Sequence, residues 1–360
     1  MKSFGVNTVL LLTLLVASQS AGEAQVRLQP SELCSDHPDA AVPTFEDATL
    51  EAWVRGAPPA GMTPPRPPPL PSATTRTIRA GPLRPPPPPR LVGAQEDLTC
   101  GLVSGLTALN ASNAGITSLV GIQNLTGLTS VSFRYNSITD ISPLSGLTGL
   151  TRLDLDGNSI SDIGALIGLT SLTWLDVDHN RITDISALRG LRSLTALGLD
   201  SMSITDISPL SGLTSMDFLR LEYNSITDLG PLSGLTSLTE LRLESNSISD
   251  VSGLSGLTSL TNLRLEHNSI TDISALGGLT SLTNLRLNDN SISDISALSG
   301  LASLEILRLY DNPALTDIQP LVDNGGLGAG DEVNLAFTSV SCTDVAALVA
   351  KGVTVESDCP

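Results

Sequence analysis

Apolar residues recur along most of this chain with a period of 22, from Leu106 to about Leu321. One full copy, residues 260–281, reads "LTNLRLEHNSITDISALGGLTS". Leu263 and Leu265 alternate with Arg264, which predicts a short strand with both leucines on one face and the arginine on the other. Asn268 ends that strand, where its amide can bond backbone of its own coil and a neighbouring one. Ile270, Ile273, Leu276 and Leu279 then point inward from a turn and a short return segment. Asp272 sits where it can cap the tight turn. Pro143, Pro209, Pro231 and Pro320 share one place on the return segment, which suits a 3₁₀ or extended backbone and argues against a long helix.

The asparagines confirm the register. Asn136, Asn158, Asn180, Asn224, Asn246, Asn268, Asn290 and Asn312 follow one column, broken once by Met202 in "LDSMSITDI". The coil that lacks the amide is expected to be weaker. A single coil cannot bury enough aliphatic surface to offset the ordering of its backbone, so the coils must stack and share a core. Stacking predicts a parallel sheet of short strands, an open solenoid, and a cap at each end. For the N-terminal cap, "FEDATLEAWVRG" (45–56) reads as an amphipathic helix with Asp47 near its start. For the C-terminal cap, residues 333–335 read as a strand, 343–351 as a short helix, and "VTV" as a last strand.

The two ends add a compartment. Residues 1–24 combine one Lys, an apolar run and small residues, the pattern of a secretory signal peptide cleaved after Ala24 or Ser20; an uncleaved anchor helix is the alternative. The segments expected are the signal peptide (1–24), an N-terminal cap segment (25–56), a proline-rich disordered linker (57–92), the repeats (93–321) and a cap (322–360). The linker holds "PPRPPPLP" and "RPPPPPR" with five arginines and no acid, a polyproline-like composition. Cys34, Cys100, Cys342 and Cys359 flank the array, and an even count in an exported chain suggests disulfides. Cys34–Cys100 with Cys342–Cys359 is the most local of three connectivities. Their wide spacing, with no histidine nearby, argues against zinc.

Charge narrows the partners. The net charge is −18, and residues 101–360 hold 28 acids against 11 bases. A surface this acidic disfavours nucleic acid and suits cationic partners or cations. His37, His179 and His267 form no catalytic set, and neither a Ser-His-Asp arrangement nor a phosphate loop is present. The chain is therefore expected to be a non-enzyme without cofactors, a monomer with no membrane span once mature, secreted or held in the cell envelope.

With these residues in place, "LTELRLESNSISDVSGLSGL" and the recurring N-x-I-x-D-I-x-x-L-x-x-L half-repeat resemble bacterial leucine-rich repeats of the internalin type, over about residues 96–360. The resemblance implies a right-handed, curved solenoid, with a parallel sheet on its concave face and 3₁₀ turns and extended segments on its convex face. It also implies binding to other proteins, several family members acting as adhesins or surface factors. "CTDVAALVAKGVTVESDC" (342–359) resembles the disulfide-closed cap of secreted bacterial repeat proteins. Two features depart from the family: the proline tract interrupts the usual helical N-cap region, and no anchoring domain follows the repeats in this sequence.

Three outward columns can then be read along the strands. The first holds Trp174 and Phe218, candidate binding anchors two coils apart. The second holds Arg220, Arg242, Arg264, Arg286 and Arg308. The third holds Asp156, Asp178, Asp200, Glu222, Glu244 and Glu266, then Asn288 and Tyr310. Where an acid stands two residues after the arginine, the pair is expected to neutralise itself within the strand. Arg286 and Arg308 lack that acid, so their forks are expected to be open to a partner's carboxylate. Asp154, Asp156, Asp176 and Asp178, with Asp200, crowd the N-terminal half as a solvated patch, a surface for a cationic partner, or a Ca²⁺ site. The leading expectation is protein binding through the concave sheet, with Trp174, Phe218, Asp176, Asp178, Asp200, Arg286, Arg308 and Tyr310 as candidates. A structural envelope scaffold and a carbohydrate-binding module using Trp174 and nearby carboxylates are the alternatives.

Overall fold

The computed structural model describes residues 45–55 and 105–359. The signal peptide, the proline tract and the Cys34–Cys100 pairing lie outside the described residues. A seven-residue helix, α1 (Ala48–Val54), opens the described chain and buries Leu50 and Val54. Strands of three residues follow: β1 (Ala108–Asn110), β2 (Ser130–Ser132), β3 (Arg152–Asp154), β4 (Trp174–Asp176), β5 (Ala196–Gly198), β6 (Phe218–Arg220), β7 (Glu240–Arg242), β8 (Asn262–Arg264), β9 (Asn284–Arg286) and β10 (Ile306–Arg308). A short helix, α2 (Gln319–Asp323), leads to β11 (Glu332–Asn334), α3 (Cys342–Ala350) and β12 (Thr354–Glu356). All 12 strands form one parallel sheet in chain order. Across the repeats each residue pairs with the one 22 positions away, as in Leu263↔Leu285. The result is the expected right-handed solenoid, with the sheet on the concave face.

Burial follows the repeat. Leu263, Leu265, Ile270, Leu276 and Leu279 are all at 0% exposure, and their counterparts repeat this along one continuous core. The return segments are single 3₁₀ turns such as Ser208–Gly212 and Gly230–Leu232, each with its proline in the first turn, where no backbone donor is needed. Every turn aspartate from Asp140 to Asp294 accepts a hydrogen bond from the backbone N–H two residues on, as Asp272 does from Ser274 at 2.8 Å. A second ladder runs beside the strands: the hydroxyl of Thr151 donates to the carbonyl of Thr129, that of Thr173 to Thr151, and that of Thr195 to Thr173.

The asparagines tie one coil to the next. The Asn268 amide donates to the carbonyls of Leu265 in its own coil and Leu243 in the preceding one, both at 3.0 Å. Its oxygen accepts from the N–H of Ile248, also in the preceding coil, at 3.0 Å. The same set repeats along the column, so each asparagine serves backbone that its own coil does not own. The sharp exit from the strand puts the preceding residue in the left-handed region, at φ 55° for His267.

At Met202 this pattern fails. Ile160 and Ile204 each donate to an asparagine 20 residues on, but the matching position for Ile182 is Met202. The coil is also distorted: Ser203, beyond the gap, has φ 74° in addition to Ser201 at φ 60°.

Both ends are closed. Asp47 caps α1 by accepting from Thr49 and Leu50 with one oxygen, and its other oxygen accepts from the N–H of Thr117 at 2.8 Å, fastening the helix to the first coil. At the other end Cys342 and Cys359 are joined by a disulfide. It links the start of α3 to the residues after β12, the staple expected from the sequence. Lys351 donates to the carbonyls of Val322 and Asn324 at the end of α2, satisfying acceptors that a short helix leaves open. Strands β11 and β12 continue the sheet into the cap.

Restoring the amide should stabilise the irregular coil. Met202→Asn is expected to raise unfolding free energy by about 1–2 kcal/mol, the worth of one or two recovered hydrogen bonds. The check is chemical denaturation of both proteins; an unchanged or lower midpoint would show that the methionine's burial outweighs the missing amide.

Candidate functional site

The concave face is less open than the sequence suggests. Trp174 and Phe218 lie on β4 and β6 in the first column, as expected, but both are half-buried. The guanidinium of Arg152, one strand earlier, covers the Trp174 ring at 3.3 Å. Phe218 is flanked by Arg220 at 5.9 Å and Arg242 at 5.5 Å. These are cation–π contacts within the sheet, so the picture of bare aromatic anchors is corrected.

The acidic cluster also differs from a solvated patch. Asp156, Asp176 and Asp178 are 1%, 4% and 2% exposed. Asp156 is held by Arg134 at 2.6 Å and by His179 Nδ1 at 2.8 Å. Arg220 reaches back across β5 to pair with Asp176 at 2.8 Å, with Asp178, and with Asp200 at 3.7 Å. That reach depends on Gly198. A Cβ there would meet Arg220 Nη2 and Asp178 Oδ1, both at 2.6 Å. Backbone takes further oxygens: Asp178 accepts from the N–H of Asp200 at 2.8 Å, and Asp200 from that of Glu222 at 3.0 Å. Among the described residues no group of three or more His, Cys, Asp or Glu is arranged to hold a metal ion. The oxygens that a Ca²⁺ site would need from Asp154, Asp156, Asp176 and Asp178 are largely engaged by cations and backbone.

Burial sets the protonation of this row. Desolvation, with the Asp176 charge adding to it, pushes Asp154 up to about 6. Desolvation first, and then the Asp176 carboxylate, raises Asp178 as well. Asp200 is raised by desolvation and by its contact with the Glu222 side chain. Farther along, desolvation lifts Glu244, with Glu222 contributing, and it lifts Glu266. The turn aspartates behave oppositely. Asp184, Asp206, Asp250, Asp272 and Asp294 are held below the ordinary carboxylate value by the backbone N–H groups they cap.

The arginines do not pair with the acid two residues on in their own strands. Each leans toward the acid of the coil before: Arg242 to Glu222 at 3.6 Å, Arg264 to Glu244 at 3.7 Å, Arg286 to Glu266 at 3.9 Å. Arg242 is also held by Glu240 at 2.7 Å. The stagger moves the loss of the acid one coil onward. Arg308, not Arg286, is the arginine whose backward neighbour is Asn288. It turns instead to Glu332 on β11 at 2.8 Å, so the expectation that Arg308 has an open fork is corrected. Arg286 sits with its Nε buried and without a hydrogen-bond partner. Around it lies a shallow hollow of about 190 Å³, bounded by Tyr223, Glu244, Glu266, Arg286, Arg308 and Tyr310 among others.

One row of functional candidates was not legible from residue type. The left-handed position before each asparagine, and before Met202, follows the end of each strand: Tyr135, Gly157, His179, Ser201, Tyr223, Ser245, His267, Asp289 and Asp311. Ring side chains fall in alternate coils from Tyr135 to His267. The Tyr135 ring lies over the next coil, where a Cβ on Gly157 would meet it at 2.3 Å. Tyr135 and Tyr223 are among the most exposed large side chains, at 52% and 62%. The shared repeat position of His179 and His267 was the one signal of this row in the sequence.

Comparison with known proteins places this geometry. A leucine rich repeat model matches residues 126–182, and a two-copy leucine rich repeat model matches 214–256, 236–278, 258–298 and 280–323. A solved internalin (inlF) from Listeria monocytogenes is similar at 31% identity and a TM-score of 0.64, covering 74% of this chain and 85% of that one. The functional domain of InlJ from the same organism is similar in fold at 24% identity and a TM-score of 0.54, covering 69% of this chain and 62% of that one. A plant peptide hormone receptor, RGFR1 in complex with RGF2, shares the fold at 18% identity and a TM-score of 0.55, over 67% of this chain and 42% of that one. A search of curated proteins by sequence finds no match.

Three outcomes follow from the buried charges. Asp154, Asp178, Asp200, Glu244 and Glu266 hold protons more tightly in the fold, so their contribution is complete below the ordinary carboxylate range and is lost as pH rises through about 6 for Asp154. The turn aspartates contribute above that range and lose it on acidification. The thermal midpoint should therefore rise from about pH 8 to about pH 5 and fall again below about pH 4. Asp154→Asn should flatten the alkaline limb, stabilising the protein at about pH 8 by about 1–3 kcal/mol; a midpoint that climbs steadily with pH would contradict this. Gly198→Ala should displace Arg220 from Asp176 and Asp178 and lower stability by about 1–3 kcal/mol, read by denaturation.

Proposed function

Because the chain belongs to the internalin-type leucine-rich repeat proteins, we propose that it recognises a protein partner through the C-terminal half of its concave sheet. Leucine-rich repeat folds are characteristically protein-binding, and the present one offers two unlike halves. In the N-terminal half, Arg134, His179 and Arg220 engage the acids of the sheet. In the C-terminal half Arg264 and Arg286 stand 3.7 and 3.9 Å from their acids, and a hollow opens beside exposed Tyr223. The observation that carries the reading is the hollow of about 190 Å³ itself, where Arg286 stands 3.9 Å from its acid beside exposed Tyr223. The exposed part of a loosely held guanidinium at such a hollow favours an incoming acceptor.

The chain acts outside the cytoplasm in this reading. The apolar leading segment and the Cys342–Cys359 disulfide both suit export. Among the described residues no helix is long and apolar enough to cross a membrane. The protein works as a monomeric, non-enzymatic binder without a cofactor. Glycan stacking on Trp174 is less favoured, because Arg152 already occupies the ring. A passive envelope scaffold would leave the hollow without a role.

Affinity capture with the full chain, followed by calorimetry on the recovered partner, tests this. Arg286→Ala and Tyr223→Ala are each expected to weaken binding about tenfold or more, while Trp174→Ala changes it less than about threefold. Retained affinity in both C-terminal variants, with loss in Trp174→Ala, would move the site to the other half.

A further inference from the structure

The hollow at Arg286 arises from a mismatch between two columns of the sheet. The arginine column runs to Arg308, while the acid column ends at Glu266 and is continued by Asn288 and Tyr310. Since each arginine leans one coil back, Glu266 is the last acid that serves it, at 3.9 Å from Arg286. That distance is longer than a hydrogen bond. Arg308 is drawn the other way, toward Glu332, and the space between the two guanidiniums is left without an acid of its own.

Unmet groups of both kinds face this region. Arg286 Nε is a buried donor without a partner, and Oε2 of Glu244 and Oε2 of Glu266 are buried acceptors without one. Their chemistry separates them. A buried carboxylate can relieve its burial by taking a proton, and both glutamates are shifted in that direction by desolvation. A guanidinium cannot discharge, so Arg286 and Arg308 keep their charge whatever surrounds them. Arg286 is further pressed by burial and by the neighbouring Arg264 and Arg308 charges. Tyr310 adds a hydroxyl that burial and the nearby acids Asp289 and Glu266 keep protonated, hence a donor. The Asn288 side-chain N–H₂ is already directed to Asp289 at 2.7 Å. Glu244 and Glu266 lie one coil back, opposite Arg264 and Arg286, whereas the corner bounded by Arg286, Arg308, Asn288 and Tyr310 holds two guanidiniums, a phenol donor and no acid.

We infer that the space between Arg286 and Arg308 is a carboxylate subsite, and that it takes the side chain of an aspartate or glutamate presented by the protein partner. This rests on the concave-face reading above and specifies its chemistry. Glu332 shows the kind of group the subsite accepts: its carboxylate is bound to Arg308 from the flank while remaining half exposed. An incoming carboxylate meets Arg286 directly and shares Arg308 with Glu332, or displaces it. Planar two-donor forks on adjacent strands, about 5 Å apart, suit a carboxylate's two oxygens.

The test uses the full chain with arginine Nε–H signals followed by NMR at constant ionic strength. The probes are the blocked peptides acetyl-Ala-Glu-Ala-amide and acetyl-Ala-Gln-Ala-amide, together with malonate, inorganic phosphate and butylammonium. The glutamate peptide is expected to shift Arg286 and Arg308 saturably, the glutamine peptide to bind about tenfold more weakly, and Arg286→Lys to lose the effect while its thermal midpoint stays near wild type. Glu332→Gln should strengthen glutamate-peptide binding by freeing Arg308. Equal response to the two peptides, or uniform shifts of all arginines, would overturn the subsite. Tighter binding of phosphate would overturn the carboxylate class, tighter binding of malonate the protein source, and a butylammonium site at Glu244 and Glu266 the sign of the ligand. Partner capture that depends on Arg286 without any of these carboxylate shifts would leave the recognition surface standing and remove this inference alone.

Discussion

The whole solenoid depends on one interaction, the asparagine side chain that bonds the backbone of the coil before it. Strands of three residues supply few hydrogen bonds of their own. The amide closes the gap where each strand ends, joining carbonyls 25 and 3 residues earlier and an N–H 20 residues earlier. It thereby fixes the 22-residue spacing, the left-handed residue ahead of it and the angle at which the chain leaves the sheet. The hydrophobic core can then repeat without a change of register. Leu263 and Ile270 stay buried because the turn between them is held from the next coil.

The same regularity shapes the concave face. Side chains in one column are forced within a strand spacing of each other, so like charges are stacked and must be interleaved with opposite ones. The N-terminal half meets this by sending Arg220 over Gly198 into three aspartates. The middle meets it by the backward lean of Arg242 and Arg264. Only where the acid column stops does the arrangement run out, and the hollow at Arg286 lies there. Much of the strong negative charge of the chain is thus folded into the sheet, while the turn aspartates carry charge on its outer side.

The period, the cap helices, the inward leucines and the Cys342–Cys359 staple were legible in the sequence, because each is encoded locally or by strict repetition. The roles of the charged columns were not. An arginine can reach either the acid two residues on or the acid of the preceding coil, and residue identity does not say which way it leans. Arg308 illustrates the cost of that ambiguity, since its partner Glu332 comes from the cap, where the 22-residue register has shifted. Burial of Asp156 and Asp178 was equally hidden, because the cover comes from Arg134, His179 and Arg220 in other coils. The tyrosines of the left-handed row were missed because a positive φ is a property of backbone geometry; tyrosine and histidine do not advertise it as glycine would.

The asparagine ladder also gives the solenoid a polarity. Each coil completes the backbone of its predecessor, so the two ends are not equivalent when coils are peeled away. Removing a coil from the C-terminal side strips the amide from the coil left behind and bares an isoleucine N–H beside the core. Removal from the N-terminal side leaves an asparagine that still bonds the carbonyl of its own strand. Under tension or thermal fraying the C-terminal end is the one whose loss propagates. The Cys342–Cys359 cross-link lies at that end, and the repeats behave in this respect as a zipper secured at its opening side.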